Sequence, residues 1–341
     1  MSSSVMIKEN VSLKPYNTFG LDVVAKRFVE LHDIGEFEAI VSSGELKTPF
    51  FVLGGGSNVV FCSDNDMLIV HPVNKGISLQ DEDDNCVYVE AQAGEVWDGF
   101  VDHCILNGWY GLENLAGIPG TVGASPVQNV GAYGKEAKDV VERVHCFDTV
   151  TGEQMWLSNE ECRFGYRDSV FKHDLSGRCL VDRVLFRLSR SFVPDIGYKA
   201  LSDALSGVPL EELTATLFAA TVRSVRDSKL PNPKNLGSAG SFFKNPVVSE
   251  SVYQEIKTLY PELVAFNLGD GTYKLSAGWM IDSCGLKGQA FSGVGVYEKQ
   301  ALVLVNRGAT SGEDVRRCAN AVADAVYAKF HVNLTPEAIF I

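Results

Sequence analysis

Residues 49–61 read Pro49-Phe50-Phe51-Val52-Leu53-Gly54-Gly55-Gly56-Ser57-Asn58-Val59-Val60-Phe61. The apolar run behind Pro49 has the length and content of a short buried strand. A second apolar run follows the glycines, so strand, glycine turn and strand predict a hairpin-like unit. The glycines leave amide N–H groups unshielded, and Ser57 and Asn58 add side-chain donors. That is the make-up of a nest for phosphate oxygens, although a plain hairpin turn has the same composition. No helix follows the glycines and the GxGxxG spacing is missing, which disfavours a Rossmann nucleotide site.

Working outward, Asp33 with Glu36 forms a capping box that predicts a helix to about residue 42. Val87-Tyr88-Val89-Glu90-Ala91 predicts a strand, and 95–106 a helix ending at Asn107-Gly108. Residues 140–150 and 153–157 flank Thr151-Gly152 as a hairpin, and 180–188 reads as a further strand. Pro194 and Gly197 break regularity near Tyr198. Residues 211–227 carry Leu213, Leu217 and Ala220 at helical spacing, and Pro231 and Pro233 end that helix. An apolar strand at 301–306 precedes a long helix capped by Ser311 and Asp314, with Val315, Cys318, Ala319, Val322 and Val326 as its core face. A last strand covers 337–341. There is no internal repeat. Strands and helices do not alternate strictly, so the class is α+β and not a doubly wound parallel sheet.

A chain of 341 residues predicts two or three domains. Its 45% apolar and 21% charged content is that of a globular protein without a long disordered tail. The net charge of −13 disfavours nucleic acid as a partner, so an anionic ligand needs local cations and backbone amides. Met1-Ser2-Ser3-Ser4-Val5-Met6 lacks a basic region followed by an apolar core, so no secretory signal is expected. No run reaches membrane-spanning length. The 8 cysteines are scattered, with no CxxC pair, which argues against a zinc site and a disulfide framework and for a reducing cytoplasm. The 6 histidines are isolated, so no metal site is expected. Without a sustained heptad the expected state is a monomer.

Three further segments carry candidate chemistry. Residues 117–134 are rich in glycine and too apolar for a flexible linker. They read as an ordered loop along which a flat ligand and a diphosphate would lie, with Gln128 and Asn129 reading ring atoms through side-chain hydrogen bonds. A structural Ω-loop is the alternative. Arg167, between Tyr166 and Asp168, offers a planar donor fork for a carboxylate or a developing negative charge; a surface ion pair is its plainer reading. Ser241 follows Gly240 and precedes Phe242, Phe243, Lys244 and Asn245. Gly237 and Gly240 allow left-handed backbone and close approach of a ligand, whereas a lone serine in a turn is ordinarily a cap. Glu337, after Leu334-Thr335-Pro336, has nothing local that distinguishes it from a solvated surface glutamate.

Taken together and in this order, Gly54-Gly55-Gly56-Ser57-Asn58, the loop from Ile118 to Gly134, Cys162-Arg163-Phe164-Gly165-Tyr166-Arg167-Asp168-Ser169-Val170-Phe171-Lys172, Gly237-Ser238-Ala239-Gly240-Ser241-Phe242-Phe243-Lys244-Asn245-Pro246 and Pro336-Glu337-Ala338-Ile339-Phe340-Ile341 resemble the UDP-N-acetylenolpyruvoylglucosamine reductases. The likeness runs from about residue 13 to 341. It implies a cytoplasmic enzyme of peptidoglycan precursor synthesis, with non-covalent FAD, NADPH as reductant and UDP-N-acetylglucosamine enolpyruvate as substrate.

The resemblance also implies a two-part FAD-binding fold of the vanillyl-alcohol-oxidase (PCMH) type and a C-terminal α+β substrate-binding domain. The first part would span 1–75, completed by 330–341; the second 76–225, with the PCMH-type region at about 21–191; the substrate domain 226–329. Carried over by motif, Ser241 is the proton donor, and Arg167 and Glu337 are the other catalytic residues. FAD contacts fall on Gly54, Gly55, Gly56, Ser57, Asn58, Gly117, Ile118, Pro119, Gly120, Thr121, Gly123, Ala124, Gln128, Asn129 and Gly131. Substrate contacts fall on Tyr133, Tyr166, Tyr198, Arg226, Lys229, Asn245 and Gln300.

Two departures stand out: Ile339 where many relatives have arginine, and Lys199-Ala200 after the substrate-covering Tyr198. Two rivals remain at this stage. A flavin oxidase of the same fold often attaches FAD through histidine or cysteine, and no histidine occurs in 54–58 or 117–134. A non-catalytic UDP-sugar binder would leave Ser241 a cap and Glu337 a surface residue.

Overall fold

The computed structural model describes residues 5–46 and 49–341. Of the opening segment read for a leader, residues 1–4 lie outside the described residues. The chain divides into two compact units. The first is built from Met1–Val11, Ala25–Gly55 and Asp66–Asp227, the second from Ser12–Val24, Gly56–Asn65 and Ser228–Ile341.

In the first unit, a sheet runs in the order Lys8–Ser12, Val24–Leu31, Asn65–Pro72, Phe50–Val52. The helix Ile34–Ser42 starts where the capping box predicts: the Asp33 carboxylate accepts from Glu36 N at 3.0 Å, and Glu36 accepts from His32 N at 2.7 Å. Its Phe37 and Ile40 pack on Val29, Leu31, Phe50, Leu68 and Val70.

A second, antiparallel sheet runs Glu153–Ser158, Val141–Asp148, Cys179–Ser189, Cys86–Gln92, Ile77–Glu82. Along Cys86–Gln92 the residues Val87, Val89 and Ala91 are buried in strict alternation. The helix Trp97–Leu106 lays Trp97, Phe100, Val101 and Cys104 into that core, with Phe100 and Phe186 ring centroids 4.8 Å apart. Each such fully buried large side chain contributes about 1.5–3 kcal/mol. The helix expected from residue 211 starts later, as Ala215–Lys229, because Leu210–Glu212 after Pro209 closes into a 3-10 turn.

The hairpin expected across 49–61 does not form. Phe50–Val52 pairs parallel with Asn65–Pro72, Phe51 opposite Ile69. Val59–Val60 belongs to the second unit and pairs parallel with Ile339–Phe340. The glycines therefore carry the chain onward rather than back.

The second unit holds a sheet ordered Ser238–Ser241, Val303–Asn306, Val294–Val296, Ala290–Phe291 and another ordered Val247–Ser249, Thr272–Leu275, Ala265–Asn267. The long helix Gly312–Phe330 has both halves of its Ser311–Asp314 capping box. Val315, Cys318, Ala319, Val322 and Val326 all face inward, as their spacing predicts, and meet Phe19, Leu21 and Val60 in one core.

Candidate active site

Within the first unit, the glycine segments meet backbone to backbone. A Cβ on Gly54 would lie 2.8 Å from Thr121 Oγ1, one on Gly55 2.8 Å from Gly120 Cα, and one on Gly123 2.5 Å from Ala93 Cβ. Val122 and Gly123 give their N–H groups to the carbonyls of Glu95 and Ala93, at 2.9 Å each, which fixes the loop. Side chains are excluded along this run, which brings the segments together as a cradle of bare backbone. That cradle fits the diphosphate of a dinucleotide such as FAD.

Asn129 has another task than the ring reading expected of it. It is 0% exposed. Its Nδ2 donates to Glu136 Oε2 and to Gly165 O, both at 2.9 Å, and its Oδ1 accepts from Lys138 N at 2.9 Å. The amide is a strut under the turn that carries Arg167, and the backbone is engaged as well: its N–H donates to Pro126 O at 3.3 Å and its carbonyl accepts from Arg167 Nη1 at 3.5 Å. Gln128 beside it is half-buried.

The turn itself is tight: Gly165 N to Asp168 O is 2.9 Å and Asp168 N to Gly165 O is 3.2 Å. Arg167 sits in it at φ 55°, a left-handed position that glycine favours and that costs another residue about 1 kcal/mol. Arg167 Nη2 donates to Gly131 O at 2.6 Å, and its Cζ lies 5.4 Å from the Tyr166 ring centroid. A Cβ on Gly131 would come within 3.1 Å of Arg167 Nη1, so this glycine makes room for the guanidinium.

Nearby, the rings of Tyr133 and Tyr198 meet edge-on at 5.2 Å, and Arg226 Nε donates to Gly117 O at 3.2 Å. Burial pushes the Tyr133 phenol pKa up, against the opposing pull of the Arg226 charge. Burial pushes the Arg226 guanidinium down, the Tyr133 and Asp227 charges oppose it, and the Arg167 cation adds to the lowering. The Arg167 cation thus adds to the cost of charging Arg226 in a partly desolvated setting. Tyr198, expected in a loop, is the residue just before the helix Lys199–Ala204; the departing pair Lys199-Ala200 opens that helix.

Two residues that the sequence reading passed over hold this region. Asn114 Nδ2 donates to Tyr133 O at 3.1 Å and to Asp195 O at 2.9 Å. Glu113 is 4% exposed; Oε2 accepts from Gly111 N at 2.9 Å and Oε1 has no partner. The signal for both was their place directly ahead of the glycine-rich loop.

Within the second unit, Gly56 has φ 62°, and a Cβ there would lie 1.9 Å from Tyr16 O, so only glycine passes. Gly240, at φ 67°, sits in a register break between Ser238 and Ser241. The break leaves Ser241 exposed while Phe242 and Phe243, 0% and 1% exposed, anchor the chain behind it. Phe242 N donates to Leu302 O at 2.7 Å. On its other side Phe242 O accepts from Glu337 N at 2.7 Å, and Lys244 N donates to Thr335 O at 2.9 Å. Residues 241–244 and 335–337 are therefore neighbouring extended segments.

Asn58 joins them: its Nδ2 donates to Glu337 O at 3.2 Å and its carbonyl accepts from Ile339 N at 2.9 Å. Asn245 and Gln300 are brought together at the start of the helix Ala277–Ser283. Asn245 Oδ1 accepts from Ala277 N at 3.0 Å, and a Cβ on Gly278 would lie 3.0 Å from Gln300 Oε1. Lys229, half-buried, is the last residue of the helix Ala215–Lys229.

The glycine-lined backbone cradle of the first unit fits a flavin, and the class of protein is a flavin-dependent oxidoreductase. Residues 25–158 match the FAD binding domain, and residues 232–341 match the UDP-N-acetylenolpyruvoylglucosamine reductase C-terminal domain. UDP-N-acetylenolpyruvoylglucosamine reductase of Chromobacterium violaceum is 46% identical over 99% of this chain and 100% of that protein. The Neisseria gonorrhoeae enzyme of the same name is 46% identical over 97% of this chain and 96% of that protein. A crystal structure of UDP-N-acetylenolpyruvylglucosamine reductase from Thermus caldophilus has the same fold, with a TM-score of 0.69 at 23% identity over 98% of this chain and 99% of that one. The chain belongs to the UDP-N-acetylenolpyruvoylglucosamine reductases. It is an oxidoreductase of peptidoglycan synthesis that acts on a UDP-sugar, with FAD and NADPH as cofactors. Among the described residues no helix is long and apolar enough to cross a membrane.

Proposed function

We propose that the enzyme reduces UDP-N-acetylglucosamine enolpyruvate to UDP-N-acetylmuramate at the expense of NADPH, with Arg167, Ser241 and Glu337 carrying the chemistry. FAD, when bound and reduced by NADPH, would supply the hydride for the enolpyruvyl methylene carbon. Negative charge then develops on the adjacent carbon and its carboxylate. The Arg167 fork and a protonated Glu337 stabilise that enolate. The Ser241 hydroxyl gives its proton to the carbon. Serine is a very weak acid in water, but the enolate is a strong base and the proton travels a short way. Solvent then returns a proton to Ser241.

The observation that carries this reading is the bond from Glu337 N to Phe242 O at 2.7 Å. It supports a shared task for a hydroxyl and a carboxyl that lie far apart in sequence. Tyr133, Tyr166, Tyr198, Arg226, Lys229, Asn245 and Gln300 take the UDP-sugar, with the two cations on its diphosphate. Gly54, Gly55, Gly56, Ser57 and Asn58 and the 117–131 loop would hold FAD. A monomer in the cytoplasm, handling small molecules and neither nucleic acid nor membrane, completes the reading.

The test is anaerobic NADPH oxidation followed at 1:1 enzyme and then with excess UDP-N-acetylglucosamine enolpyruvate. The yellow holoenzyme is expected to bleach with NADPH and to turn over only when the enolpyruvyl sugar is added. NADPH consumption that ignores the sugar overturns the reading.

A further inference from the structure

A buckle in the first unit ties a loop glycine to Arg226. The helix Trp97–Leu106 carries Asp98 in its first turn, and the helix Ala215–Lys229 carries Arg223 and, one turn on, Arg226. Gly117 lies between them at φ 72°. A Cβ there would meet Arg223 Cγ at 3.2 Å and Arg226 Cδ at 3.3 Å, so both arginine stems close over bare backbone. The two faces of the Gly117 peptide are gripped separately. Its N–H donates to Asp98 Oδ1 at 2.6 Å, and its carbonyl accepts from Arg226 Nε at 3.2 Å.

Asp98 has a second duty. Arg223 Nη2 donates to Asp98 Oδ1 at 2.8 Å, and Arg223 Nε lies 3.1 Å from each Asp98 oxygen. Arg223 Nη2 also reaches Asp102 Oδ1 at 2.6 Å. Arg223 is therefore neutralised by two carboxylates, and the positive charge that remains for a ligand is that of Arg226. An arginine held by Nε presents its terminal nitrogens in one direction, because the guanidinium is planar.

We infer that Asp98 is a positioning residue for the substrate: through the Gly117 peptide and Arg223 it aims the Arg226 guanidinium at the diphosphate of the UDP-sugar. This rests on the proposed role of Arg226 as a substrate contact. Asp98 acts through the groups it holds, the Gly117 N–H and the Arg223 guanidinium. Its effect is on binding, since Arg226 meets the diphosphate equally in ground and transition states.

The experiment is a double-mutant cycle on the FAD-loaded full chain with Asp98→Asn and Arg226→Ala. Asp98→Asn keeps an acceptor for Gly117 but releases Arg223. It is expected to raise the KM for UDP-N-acetylglucosamine enolpyruvate about tenfold, the weight of one charge-assisted contact. Its kcat and its rate of flavin reduction by NADPH should stay within about twofold. Arg226→Ala is expected to raise the same KM, and adding Asp98→Asn to it should raise KM no further. Asp102→Asn, which touches only the outer nitrogen of Arg223, should leave KM alone.

An unchanged KM in Asp98→Asn, or KM effects that multiply in the double mutant, overturns the inference. Should Asp98→Asn fail to fold, Arg223→Gln replaces it in the same cycle with the same expectation. A wild-type enzyme that does not turn over the sugar fails the functional reading instead. A working wild type with an unchanged KM in Arg226→Ala fails this inference alone.

Discussion

Replacing Ser241 with alanine separates chemistry from folding. Ser241 is exposed, its strand is held by buried Phe242 and Phe243, and its pairing with Val303 is through the backbone. Alanine keeps all of these, so stability should change by no more than about 0.5 kcal/mol. Gly240 at φ 67° is untouched, so the backbone course is kept as well. The loss falls on proton transfer, where a positioned acid contributes about 10²–10⁴-fold. At 1.36 kcal/mol per decade that is about 3–5 kcal/mol of barrier.

The assay is anaerobic stopped-flow in two halves. In the first, NADPH should bleach the flavin of Ser241→Ala at the wild-type rate. In the second, reoxidation by the enolpyruvyl sugar should slow by the full factor. Ser241→Cys, which restores an acidic hydrogen, should recover part of it. A Ser241→Ala enzyme that reoxidises at the wild-type rate refutes the assignment of Ser241 as acid.

Gly56→Ala would place a methyl 1.9 Å from Tyr16 O at a left-handed position and strain the Thr18 N to Gly56 O bond of 3.0 Å. A loss of about 3 kcal/mol is expected, or about 6 °C or more in Tm by thermal melt. Arg167→Lys retains charge but loses the planar fork, so kcat should fall about 100-fold with KM little changed, as steady-state kinetics will show. Glu113 has its pKa raised from the ordinary 4.5 by burial, with the Gly111 N–H bond and the Lys135 charge opposing. The folded state therefore holds this proton more tightly than the unfolded one. The stability it contributes is present below the unfolded value and is lost as pH rises through the folded one. Chemical denaturation of Glu113→Gln against wild type should show the difference moving in favour of the variant as pH rises above 4.5. A constant difference would refute it.

What was legible in the sequence was local. The capping boxes at Asp33 and Ser311, the core stripe of Gly312–Phe330 and the Val141–Asp148 to Glu153–Ser158 hairpin involve neighbours in the chain, and all stand in the structure. The glycine segment misled because its partners are remote: Val59–Val60 pairs with Ile339–Phe340, and no nearby residue encodes that. Glu337 carried no local signal for the same reason; its place beside Phe242 is a tertiary fact. Asn129 looked like a ligand-reading amide because an asparagine in a glycine-rich loop gives no sign of which groups surround it. Only packing shows its amide committed to Glu136, Gly165 and Lys138.

The second unit takes Ser12–Val24 and Gly56–Asn65 from early in the chain and everything else from beyond residue 227. During synthesis those early pieces must wait while the whole intervening stretch is made and folds. The wait is long, and late, non-local closure is slow closure. The stretch 232–341, although it matches a C-terminal family domain by sequence, cannot be excised as a free-standing module: Val60, Phe19 and Leu21 would be missing from its interior. Fragments cut at that boundary should aggregate unless the early peptides are supplied in trans.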